Sequence, residues 1–369
     1  MAARGDLPAW VNLGLLPLLN LTAAFLVSGL IVLLLGENPI EAVRLLVFGA
    51  FGYGEAIGYT LFYATNFIFT GLAVAIAFHC GLFNIGGEGQ AYVAGLGVTL
   101  VGLYLGFLPF ILVLPIAILA AAAFGGFWAF IPGWLQAKRG SHVVITTIMF
   151  NFIAAALMTY MVVNVLIKPG SQIPESGRYA ESALFPKMHE MLAAVGMEIS
   201  SSPLNLAFII ALIAALAFWI FVWKTKWGYA LRVVGQNEHA AVYGGISPAK
   251  QIMIAMTISG ALAAGVALNE LLGSQHRLIL NFPSGFGFVG IAVALMGRNH
   301  PVGIILAALL FGALYQGGSE LSFDMPRISR DMVVVIQGLV ILFAGALEHM
   351  FRPTLVSIFV RQEPEEAQA

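Results

Sequence analysis

The chain has 369 residues, of which 60% are hydrophobic and only 9% charged. Soluble domains carry about 25% charged residues, so a water-soluble protein is excluded and a polytopic, all-α membrane protein is expected. The net charge of -1 says nothing about nucleic acid, and no nucleic-acid partner is expected; the single cysteine, Cys80, excludes an internal disulfide and any cysteine-based metal cluster.

Several apolar runs reach the roughly 20 residues that cross about 30 Å of hydrocarbon. Residues 1–12 read as a short tail carrying Arg4 and Asp6. The apolar run after Trp10 is too long for a cleavable signal and no small-residue cleavage site follows it, so residues 13–35 are the first expected span. Over 40–51, Ile40, Val43, Val47 and Ala50 share a face that Glu41 and Arg44 avoid, which predicts an interfacial helix. Residues 59–78 are the second span, 81–90 (GLFNIGGEGQ) a glycine-rich break, 91–106 the third span, 108–134 the fourth and 143–167 the fifth. Residues 168–203 form the longest polar connection. The sixth span is 204–223, followed by a polar loop over 224–250; the seventh is 251–272, then a second glycine-containing break over 273–287. Residues 288–297, 301–317 and 331–349 complete ten spans, and an acidic tail closes the chain. The expected organisation is one membrane domain over 1–369, with its membrane part at about 13–351 and a tail at 352–369.

Ten crossings put both termini on one side. Ten of the 17 basic residues fall on that side, which makes it cytoplasmic by the positive-inside bias. The loop 224–250 is then cytoplasmic and the connection 168–203 external. The order of span, break, apolar helix, proline-initiated helix and further span recurs from residue 59 and from residue 251, starting on opposite sides. Inverted repeats with broken helices are the arrangement of transporters, whose substrate path lies between the halves.

Within the loop, Asn237 is a good N-cap, Glu238 lies in the first turn where the helix dipole favours an anion, and Gly244-Gly245 is a stop signal. The pattern predicts a helix over 237–243, serving either as a docking surface or as an ordinary connection. The first break places Asn84, Glu88 and Gln90 in apolar surroundings, where polar groups face an internal space or cap broken helix ends. The second offers Asn269 and Glu270, then Gln275, His276, Arg277 and Asn281. Phe282, Phe286 and Phe288 beside Gly285 and Gly287 could stack a planar base or sugar, or simply pack or face lipid. Asn66 in the second span and Asn151 in the fifth, read as lone buried amides, fit interhelical hydrogen bonding. There is no HExxH, GxSxG or GxxxxGK[ST] motif, so no enzyme activity, cofactor or metal is expected of this chain.

Four blocks carry a family resemblance: GLFNIGGEGQ (81–90), VVITTIMFNFIA (143–154), WGYALRVVGQNEHAAVYGGI (227–246) and FGFVGIAVALMGRNHPVGIILAALLFGAL (286–314). Together they resemble the permease subunits of bacterial ABC importers for nucleosides and simple sugars, the branch served by basic-membrane-protein-type binding proteins. The likeness runs over about residues 35–348. The glycine-rich block is shared more widely, with ribose-type and branched-chain amino-acid permeases. The resemblance implies a ten-helix permease in the bacterial plasma membrane, a second homologous permease, two cytoplasmic ATPase subunits that use the ATP, and an external solute-binding protein. It implies a coupling helix in the loop matching 228–247, and so an ATPase-docking role for Arg232, Gln236, Asn237, Glu238, Ala241 and Gly244. Solute is expected to pass Asn84, Glu88, Gln90, Asn269, Glu270 and Phe286. The rival expectations are a branched-chain amino-acid permease, and an ion-coupled secondary carrier with Glu88 or Glu270 as proton relay. The connection 168–203 matches no pattern, and residues 317–330 look less standard.

Overall fold

The computed structural model describes residues 8, 10–346 and 354–357. Residues 1–7 and 9 of the N-terminal tail, the end of the tenth expected span and all but 354–357 of the C-terminal tail lie outside the described residues. In chain order the helices are α1 (Leu16–Leu34), α2 (Pro39–Phe51), α3 (Gly54–His79), α4 (Gly87–Tyr104), α5 (Phe110–Arg139), α6 (Val143–Tyr160), α7 (Met188–Ala193), α8 (Ala207–Lys224), α9 (Lys226–Gln236), α10 (Glu238–Tyr243), α11 (Pro248–Ala263), α12 (Gly265–Ala267), α13 (Phe286–Met296), α14 (Pro301–Asp324) and α15 (Arg330–Ala346). The fold is all-helical, and among the described residues the only extended pairings are isolated bridges. Among the described residues six helices are long and apolar enough to cross a membrane; one of them runs through α11, α12 and a π-helical segment, Leu268–Gln275.

The chain divides into two compact units, Met1–Gly49 with Gly317–Ala369, and Ala50–Gln316. In the first, α1 turns through 117° into α2. Gly36 makes that turn at φ 78°, and Asn38 Oδ1 accepts from the Ile40 amide at 2.9 Å. Ile40, Val43 and Val47 stay exposed, as an interfacial helix requires. Val32, Ala42, Leu321, Met325, Ile328, Val333 and Ile336 pack together as this unit's core.

In the second unit α3 is the central element, buried along nearly its whole length from Ala56 to Ala77. The first break is real: residues 80–86 are not helical. The chain turns at Gly81 (φ 74°) and doubles back beside α3. Asn84 donates to Ser259 Oγ at 2.8 Å, and Ser259 donates to the Ala73 carbonyl. Meanwhile α13 lies along α3 in the same direction, from Phe286 beside Phe67 to Asn299 beside His79. The N-termini of α4 and α13 therefore meet, with the Gly87 and Gly287 backbones in contact.

The second break is shorter than the glycine pattern predicts. Helical structure persists through Gly273 to Gln275, and residues 276–285 carry the irregular backbone. Gly273 is spent on a close approach to Asn205, where a Cβ would strike the amide, and not on a bend. The chain turns instead through left-handed residues His276, Asn281, Ser284 and Gly285.

The connection 168–203 is laid over this break. Ser176, Tyr179 and Phe185 donate backbone N–H groups to the carbonyls of Leu278, His276 and Leu272, each at 2.9 Å. Glu175 meets Arg277 at 2.8 Å. A backbone that has left its helix must find partners elsewhere, and here an adjacent extended segment supplies them.

Candidate functional site

The first break is stabilised by side-chain amides. Asn84 Oδ1 accepts from the Gly86 amide (2.8 Å) and from Gln90 Nε2 (3.1 Å), while its Nδ2 donates to Gln90 Oε1 (3.0 Å). Asn151 on α6 adds a second brace, donating to the Ile85 carbonyl and accepting from the Gly89 amide, both at 2.9 Å. It thus acts as the expected interhelical tie.

Glu88 reaches across to the other break. Its Oε1 accepts from the Gly285 amide at 2.7 Å and its Oε2 from the Gly287 amide at 2.9 Å. These N–H groups open α13 and have no partner within that helix. A carboxylate at a helix N-terminus also meets the positive end of the dipole. A half-buried acid in one broken helix therefore caps the other, 197 and 199 residues away.

Phe286 sits between those two donors. Its ring is edge-on to Phe67 at 5.5 Å and lies 5.6 Å from Tyr315 and 6.4 Å from Tyr63, with Phe311 6.1 Å from Phe67. Phe286 is buried, whereas Tyr63 and Tyr315 are half-buried. The platform imagined from three phenylalanines is divided: Phe282 packs edge-on against Tyr92, and Phe288 is exposed.

Asn269 and Glu270 belong to a second buried network, inside the π-helical segment. Such segments recur at functional sites. Asn66 donates to Glu270 Oε1 at 2.6 Å and accepts from Asn269 Nδ2 at 2.9 Å. Asn269 Oδ1 accepts in turn from Asn205 at 2.9 Å. Asn205, Ser259, Tyr63 and Tyr315 were not singled out by sequence reasoning. Asn205 carried one usable signal, a polar residue two positions after Pro203 at the start of an apolar span.

The loop forms two helices where one was expected. In α9, Thr225 Oγ1 caps by accepting from the Gly228 amide at 3.1 Å, and Leu231 and Val234 point inward. Asn237 caps α10 by accepting from the Ala240 amide at 3.0 Å. The stop is as expected: Gly244 and Ile246 donate to the Ala240 and Ala241 carbonyls, with Gly245 at φ 74°. Gln236, Asn237, Glu238 and Gly244 are exposed, Arg232 is half-buried and Ala241 is buried under the turn. Tyr243 is 95% exposed and Val242 61%; neither was picked out in advance, although an apolar pair in a polar loop is a visible cue. Cys80 lies beside this loop. Burial, with the Glu238 charge adding to it, pushes its thiol up to about 12.

Among the described residues no cluster of His, Cys, Asp and Glu could hold a metal ion. Asn84, Gln90, Asn269 and Glu270 are engaged with neighbouring side chains and backbone.

The family model described as branched-chain amino acid transport system / permease component matches residues 56–345. The chain is similar to the guanosine ABC transporter permease protein NupP of Bacillus subtilis, 37% identical over 335 residues that cover 90% of this chain and 93% of that one. It is similar to the glucose ABC transporter permease protein TsgB13 of Haloferax volcanii, at 33% over 92% of this chain and 89% of that one. It is likewise similar to the nucleoside ABC transporter permease protein NupB of Lactococcus lactis subsp. cremoris, at 34% over 89% and 90%. No solved structure matches the chain. With its apolar helices, its breaks joined at Glu88 and these relatives, the chain belongs to the family of permease components of ABC transporters.

Proposed function

We propose that this chain is the translocating permease of an ABC importer whose solute is a nucleoside or simple sugar. The observation that carries the solute class is its similarity, over nine-tenths of its length, to the guanosine permease NupP. The aromatic cluster around Phe286 supports it, since a base or sugar face packs on aromatic rings. The whole chain acts as one permease domain in the bacterial plasma membrane, beside a second homologous permease, with an external solute-binding protein delivering the solute. The proposed path runs by Asn84, Glu88, Gln90, Asn269, Glu270 and Phe286.

Ten crossings are supported by the six long helices together with α1, α4, α13 and α15. The inverted repeat is supported by the meeting of the α4 and α13 N-termini, each following a break. The positive-inside bias favours cytoplasmic termini, a cytoplasmic loop 224–250 and an external connection 168–203. An ATPase subunit grips that loop through Arg232, Gln236, Asn237, Glu238 and Gly244, with Ala241 holding the turn from beneath. The capped α10 and its exposed Val242 and Tyr243 suit insertion into a groove.

The test is uptake by the assembled importer in vesicles. Labelled guanosine should enter with ATP and be competed by other nucleosides or by glucose, not by leucine. Competition by leucine would assign the amino-acid class instead. Concentration of solute by this chain alone on a proton gradient would make it a secondary carrier and end the proposal. Replacing residues 235–245 with a Gly/Ser linker should abolish uptake while the membrane helices stay folded.

A further inference from the structure

The short helix α13 is held at both ends by one stretch of chain. At its N-terminus Glu88 accepts from the Gly285 and Gly287 amides. Past its C-terminus, in the corner 297–301, the Asn299 carbonyl lies 3.0 Å from His79 Nε2. Eleven helical residues span about 16 Å, a distance that segment 79–88 covers alongside. Segment and helix are thus clamped like two rails with a tie at each end.

The docking loop rests on one of those ends. A Cβ added to Gly81 would lie 3.3 Å from both Gly235 Cα and its carbonyl oxygen, and Gly235 has no room for a side chain against the His79 carbonyl and the Cys80 backbone. The His79 ring also packs edge-on to Trp223 of α8 at 5.2 Å, and Trp223 lies 5.2 Å from His300 in the corner. Backbone here meets backbone with no flexible side chain between. Packed protein interiors compress little and pass displacement on.

We propose that the turn at 79–81 is the joint through which movement of the docking loop reaches the path: when α9 shifts, segment 79–88 and α13 move as one piece and carry Phe286 through its aromatic cluster. Gly235 and Gly81 are positioning residues in this device, and Glu88 is the far tie. The inference rests on the loop being the ATPase grip, and it adds where that grip is passed on.

Cys80 is the only cysteine of the chain, is 3% exposed and sits in the joint, so the unaltered permease carries its own reporter. The experiment uses the whole importer in lipid, with cysteines removed from the other subunits. Maleimide labelling of Cys80 is timed without nucleotide and after ATP turnover with vanadate, which traps ADP and vanadate on the ATPases. At least a tenfold change in rate between the two states is expected. Equal rates, whether both slow or both fast, overturn the proposal. Gly235→Ala puts a methyl group against the His79 carbonyl. It should lower uptake tenfold or more and free ATP hydrolysis from stimulation by loaded binding protein, with the ATPase still co-purifying. Wild-type coupling in that variant also overturns the joint, and if the variant does not assemble, the labelling of the unaltered chain decides. Loss of ATPase co-purification from the unaltered chain would instead sink the docking reading, a result distinct from either.

Discussion

The two breaks solve the same problem by different means. The break at 81–90 is rich in side-chain hydrogen bonding: Asn84, Gln90 and Asn151 satisfy its backbone from within and from α6. The break at 276–285 is satisfied largely from outside, by backbone groups of the connection 168–203 and by the carboxylate of Glu88. One is braced by side-chain amides and lends an acceptor; the other leans on the backbone of an adjacent segment and on that acceptor. A polar residue in a membrane helix is therefore not by itself a solute contact. Its first task is to satisfy backbone that has left the helix.

Removing the lent acceptor should produce the largest effect. Glu88→Ala leaves two α13 amides without partners, and each such loss costs about 1–3 kcal/mol when buried. We expect uptake of a nucleoside or sugar solute by the assembled importer to fall about a hundredfold, with a lower melting temperature of the purified permease. Glu88→Gln, which keeps one acceptor, should fall between. An Ala variant with native uptake and melting would show that the second break does not depend on the first.

The buried amide network should respond next. Asn66→Leu removes the donor to Glu270 and the acceptor of Asn269 together. A drop of about 2–4 kcal/mol in unfolding free energy is expected, because unpaired buried polar groups are costly. Adding Glu270→Met should restore part of it, since replacing both partners of a buried pair is far milder than removing one. No recovery in the double variant would mean that Glu270 has a further partner, such as solute.

The smallest effect is expected at the dependent end. Burial holds the His276 imidazole below its ordinary pKa, with the Lys187 and Arg178 charges acting in the same sense. Closed packing therefore disfavours the protonated form, and its stability declines as pH drops through the ordinary imidazole range while an opened connection takes up the proton. Protection factors over 168–203, which divide out the slower intrinsic exchange in acid, should fall a few-fold between pH 7.5 and 5.5. His276→Asn, which tolerates the left-handed backbone, should lose that dependence. Identical protection factors at both pH values in the native chain would remove His276 from the account.

Much of this architecture was readable in one dimension. Apolar runs marked the crossings, because a helix in lipid must bury its own backbone and shows an uninterrupted apolar run. Asn237 and Gly244-Gly245 marked both ends of α10, because caps are local chemistry. The two breaks were visible as glycines beside polar residues. The second was placed too early, at 273, because a glycine used for close helix packing looks the same as one used to bend.

Chain-local signals therefore fixed residence in a membrane, the long apolar helices, the caps of α10 and the existence of two breaks, but they missed α9 and its Thr225 cap and set the second break too early. Tertiary structure alone decided the pairings. Nothing local says that Glu88 caps α13, that Asn205 joins Asn269, that Phe286 and not Phe282 enters the aromatic cluster, or that Gly235 of the loop 224–250 rests on Gly81. Those contacts join residues that only packing brings together, since any buried donor or acceptor could be satisfied by many partners and the folded arrangement selects one.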